Sequence, residues 1–83
     1  MTKYYYGFAY TFWPPKRHQI NGRVIGELYC FPDLDMLRRW LSVDDGYHKV
    51  KMGRKQAILV VGRESVDDLR ERTALKWESG YEL

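Results

Sequence analysis

The chain has 83 residues, a formal net charge of +3 and an aromatic content of 16%. At that length it is expected to be a single domain, residues 1–83, close to the lower limit at which a core sustains itself, so aromatic side chains or a second copy must supplement it. One cysteine, Cys30, excludes an internal disulfide, while the two histidines argue against a structural zinc site and the mild positive charge argues against a mimic of DNA.

The start, Met1-Thr2-Lys3-Tyr4, has no apolar signal region, and the longest apolar run, Ala57 to Val61, is far too short to span a membrane. With a lone cysteine, this predicts a reducing, cytoplasmic setting.

Residues 3–13 concentrate Tyr4, Tyr5, Tyr6, Phe8, Tyr10, Phe12 and Trp13, and their alternation predicts a strand. Tyr4, Tyr6, Phe8, Tyr10 and Phe12 share one face. Tyr5, Gly7, Ala9, Thr11 and Trp13 share the other, where Gly7 and Ala9 leave a trough that a helix or a partner can approach closely. Residues 14–22 read as a basic loop, because Pro14-Pro15 cannot continue a ladder and Asn21-Gly22 is a turn signal. Residues 23–31 read as a second strand, antiparallel to the first.

Pro32, Asp33 and Asp35 mark a helix start. Leu34, Leu37 and Leu41, widened by Met36 and Trp40, give that helix its apolar stripe, while Asp35, Arg38, Arg39 and Ser42 point away. Asp44-Asp45-Gly46 ends it. Residues 47–52 alternate as a short edge strand guarded by lysines. A helix over 54–61, bracketed by Gly53 and Gly62, is favoured over a strand. Ser65-Val66-Asp67-Asp68 resembles a capping box for a short helix over 65–73, and Leu75 with Trp77 suggests a closing strand over 74–78. The predicted fold is α+β: a small antiparallel sheet with an N-terminal aromatic hairpin, one face covered by one main helix and one or two short helices.

Catalysis finds little support. Cys30, between Tyr29 and Phe31, reads as a buried inert thiol. His18 and His48 lie in no motif, Asp44-Asp45 with His48 is a poor metal match, and phosphate-loop patterns are absent. No catalytic residue, metal site or cofactor is assigned. The aromatic strand is ambiguous: its rings either fill the core or stand on an open face as anchors for another macromolecule. The favoured site is Tyr4, Tyr6, Tyr10 and Trp13 as aromatic anchors, with Lys16, Arg17 and Arg39 as charged contacts. On that reading, replacing Tyr6 or Tyr10 by Ala weakens binding without unfolding the chain.

The stretch Gly22-Arg23-Val24-Ile25-Gly26-Glu27-Leu28-Tyr29-Cys30-Phe31, followed by the helix bearing Trp40, resembles small proteins of bacteriophages and mobile elements, and the segment from Arg54 to Gly62 and the Gly80-Tyr81-Glu82-Leu83 tail extend the likeness. These include anti-CRISPR proteins, so the resemblance implies a phage-encoded stoichiometric inhibitor of a CRISPR-Cas effector, acting in the host cytoplasm as a monomer or homodimer. The expected partner is thus a larger intracellular protein or ribonucleoprotein complex, with Cas proteins the particular case. The alternative is a small nucleic-acid binder that stacks bases on the same tyrosines and tracks phosphates with the basic loop.

Overall fold

A computed structural model describes residues 3–13 and 23–78 of the chain. Their order is β1 (Tyr5–Trp13), β2 (Arg23–Phe31), α1 (Leu34–Ser42), β3 (His48–Met52), α2 (Arg54–Val61) and α3 (Arg63–Glu78). The aromatic strand β1 is central in a three-stranded sheet of order β2-β1-β3. Both pairings are antiparallel. β1 pairs with β2 along its whole length, from Tyr5 opposite Phe31 to Trp13 opposite Arg23. It pairs with β3 only from Tyr6 opposite Met52 to Tyr10 opposite His48. The end of the β1–β2 ribbon therefore projects past the edge strand. The α+β class and the N-terminal aromatic hairpin are those expected.

The helices, expected together on one face, divide between the two. α1 lies on the Gly7–Ala9 face because the missing side chain at Gly7 admits the Trp40 indole. A Cβ placed there would come within 2.4 Å of Trp40 Cζ3. Tyr29 and Phe31 flank the same indole at centroid distances of 5.2 and 5.3 Å. Asp33 caps α1 by accepting the Met36 amide hydrogen at 2.9 Å, which satisfies one of the first-turn donors. Leu37 is fully buried, and burial of such a side chain contributes about 2 kcal/mol.

At its other end α1 is held by Lys49. Its Nζ donates to the carbonyl oxygens of Trp40 at 3.0 Å and Val43 at 2.8 Å, and it pairs with Asp45 at 3.1 Å with the side chain 5% exposed. A cation at a helix C-terminus also complements the negative end of the helix dipole. The edge-strand lysine thus serves the helix.

α2 and α3 cover the opposite face at one end of the sheet. Tyr4, Tyr6, Leu28, Ala57 and Val66 form the buried cluster there, with Cys30, Met52 and Leu69 packed against it. α2 spans the expected 54–61 and stops at Gly62, whose φ of +92° suits glycine. α3 differs from expectation. It starts at Arg63, before the Ser65 capping signal, and continues to Glu78, so the closing strand over 74–78 does not form. Arg, Glu, Ala, Leu and Lys dominate residues 69–78, and their summed helix preference outweighs two alternating apolar positions. Leu75 and Trp77 are exposed on the last turns of that helix.

Candidate functional site

The even-numbered residues of β1 run from the dry end of one sheet face to its open end. Tyr6 is 3% exposed and Tyr4 is also buried. Both belong to the core, and neither is an exposed anchor. The reason is the position of α2 and α3: Ala57 and Val66, fully buried, bring the two helices down onto these rings. Burial pushes the Tyr6 phenol above its ordinary pKa, the neighbouring Cys30 adds to the rise, and a hydrogen bond with Arg54 opposes it. Burial likewise raises the Cys30 thiol, against the lowering influence of Thr73 and Arg70. Cys30 is half-buried rather than fully enclosed.

Tyr10, four residues further along the strand, is in a different setting. It is half-exposed and sits at the centre of an aromatic cluster. Phe8 stacks on it at a centroid distance of 6.1 Å, Phe12 meets it edge-on at 6.2 Å, and His48 lies at 5.2 Å. Phe12 and His48 also meet edge-on, at 6.1 Å. Around them Val24 and Val50 are 54% and 42% exposed. The register places all six side chains on one face. Gly26, opposite Tyr10, makes room for this arrangement: a Cβ there would lie 2.4 Å from Phe8 Cζ, so the Phe8 ring extends across β2 only because that position has no side chain.

Of the other expected site residues, only Arg39 has a described side chain, and it is remote from this cluster. Trp13 closes β1 opposite Arg23. Lys16 and Arg17 lie outside the described residues. Arg39 is on the outer face of α1, where its guanidinium pairs with Asp35 at 2.9 Å between two well-exposed side chains. The sequence reading missed His48, Val24 and Val50 as neighbours of Tyr10. Their alternation on the second and third strands was visible, but the register that aligns them was not.

Asp45, considered with Asp44 and His48 as a weak ligand set, is occupied otherwise. Lys49 and the Tyr47 amide both bind its carboxylate, and the Lys49 hydrogen bond is the main cause of a pKa below the usual carboxylate value. Among the described residues no group of three His, Cys, Asp or Glu side chains is arranged to hold a metal ion. No helix among them is long and apolar enough to cross a membrane. Comparison with protein-family models, with curated proteins and with solved structures gives no match.

Proposed function

We propose that this chain is a non-enzymatic interaction module, acting in the cytoplasm, that binds a larger protein through the half-exposed aromatic end of its sheet. The observation that supports this reading is the Phe8–Tyr10–Phe12–His48 cluster bordered by exposed Val24 and Val50. Rigid aromatic rings with an apolar surround are the side chains that supply most of the energy at protein interfaces, because they cover large area at little entropic cost.

A protein partner is favoured over nucleic acid by the charge on this face. Its strand positions on β1, β2 and β3 carry Tyr, Phe, Val, Gly, Leu, Cys, His and Met, with no Lys or Arg. Stacking of bases ordinarily accompanies cations that follow the phosphates. Lys16 and Arg17 follow Trp13 closely in the chain, which ties them covalently to this end of the ribbon, and in this reading they steer the module onto an acidic rim. A CRISPR-Cas effector is the particular partner that the sequence resemblance suggests.

The test compares wild type with Tyr10→Ala in a pull-down from the host followed by mass spectrometry. One protein should be retained in stoichiometric amount by the wild type and lost with the variant, whose affinity should fall by about 2 kcal/mol, roughly thirtyfold. Equal retention by both proteins would overturn the reading. Oligonucleotide binding that weakens steeply with salt and disappears with Tyr10→Ala would favour the nucleic-acid alternative. A purified Cas effector left fully active by excess protein would remove that particular partner.

A further inference from the structure

The other end of β1 carries a second feature. Between the start of β1, the end of β3 and the first turn of α2 lies a cleft of about 540 Å³, within the usual range for small-molecule sites of ~300–1,000 Å³. Among the described residues, Lys3, Lys51, Arg54 and Arg70 line it and no carboxylate does. Arg54 is engaged by Asp67 at 2.7 Å. Lys3, Lys51 and Arg70 make no ion pair among the described residues. The positive charge of Lys3, Lys51 and Arg70 gathered in one concavity is favourable for a multiply charged anion.

The walls add a second chemistry. The Arg70 guanidinium lies 4.8 Å from the Tyr4 ring centroid, and Lys3 Nζ lies 5.6 Å from that of Tyr5. Tyr5 and Met52, both half-buried, supply apolar surface beside the charges. The Tyr4 hydroxyl is buried and has no hydrogen-bond partner among the described residues. The floor includes Gly53, the N-cap of α2, which caps that helix with no side chain. The amide hydrogens of the first turn are therefore free of a side-chain acceptor, and the positive end of the helix dipole adds to the field of the lysines and arginines.

We infer that this cleft binds a phosphorylated small molecule with a flat apolar portion, of the class represented by a nucleoside diphosphate. The phosphates would lie among Lys3, Lys51 and Arg70 at the N-terminus of α2, and the flat portion against Tyr5 and Met52. Lys3, Lys51 and Arg70 supply the counter-charge for the phosphates, so binding needs no divalent cation. The inference is independent of the aromatic cluster near Tyr10, which lies at the opposite end of β1.

The experiment is calorimetric titration of the full chain with ADP in the absence of magnesium, accompanied by backbone amide NMR. The expected result is saturable binding, with shifts centred on Lys51, Gly53 and Arg70. Binding should weaken about tenfold in Lys51→Gln and in Arg70→Gln, and should be unchanged in Arg39→Gln on α1 and in Tyr10→Ala. Lys51 is exposed on an edge strand, so its variant keeps the test valid if Arg70→Gln loosens the fold. Three results would overturn the inference: no binding at millimolar ADP, equal binding by Lys51→Gln and wild type, or shifts confined to the Tyr10 end. Pyrophosphate binding as tightly as ADP would overturn the assignment of a flat apolar portion.

Discussion

Tyr6 and Tyr10 stand on the same strand and face, four residues apart, yet one is sealed in the core and the other is half in solvent. Nothing about the two residues differs intrinsically. What differs is the roof: α2 and α3 reach over the Tyr4–Tyr6 end and leave the Tyr10–Phe12 end open. An aromatic strand in a small domain can thus serve as core and as recognition surface in sequence along its length. The assignment of each ring follows from where the helices stop.

The largest expected effect separates the two ends directly. Tyr6→Ala removes a buried ring and should destabilise the chain by about 3–5 kcal/mol, read as a collapse of the urea midpoint. This replaces the expectation that the change spares the fold. Tyr10→Ala should lower the unfolding free energy by less than ~1 kcal/mol and move that midpoint little, as befits a partly exposed side chain. A large loss from Tyr10→Ala would show that the open end also belongs to the core.

The next effect probes the opposite face. Gly7→Ala forces a methyl into the space held by the Trp40 indole and should cost ~1–3 kcal/mol by overpacking, with a change in tryptophan fluorescence as α1 is displaced. Unaltered fluorescence and stability would mean that α1 is not seated on Gly7.

The smallest effect is electrostatic. Asp45 has its pKa lowered chiefly by Lys49. Its folded-state pKa is below the unfolded value, so its contribution to stability is present above the unfolded pKa and is lost as pH falls through the folded one. NMR titration of the Asp45 carboxylate should place its midpoint below that of an ordinary aspartate. Lys49→Gln should return it towards that value, and a midpoint indifferent to the substitution would remove the clamp between β3 and α1.

Much of this architecture was legible in the residues. The alternation of β1 and β2, the Asp33 start and Leu37 stripe of α1, the edge strand after Gly46 and the helix between Gly53 and Gly62 all follow from local patterns. The trough at Gly7 was visible as well, and Trp40 fills it. The end of the chain was less legible, since Leu75 and Trp77 alternate like a strand but continue a helix whose other residues favour that state. The site was legible only in part. Composition identifies a strand with more rings than one small core needs. It does not reveal which rings α2 and α3 cover, because that depends on contacts of Ala57 and Val66 made across the fold. The cleft lined by Lys3, Lys51 and Arg70 was equally hidden, because its cations come from the segment before β1, from β3 and from α3, and none stands in a motif.

Phe8 belongs to both ends of the strand. It packs against the buried cluster, stacks on Tyr10 and extends over Gly26, so it is the hinge pin between a dry interior and a wet rim. A ligand pressing on the rim would immobilise that ring from outside, and the interior would sense the added restraint. Occupancy of the outer surface should then be measurable as a rise in melting temperature, without any contact between the visitor and the helices.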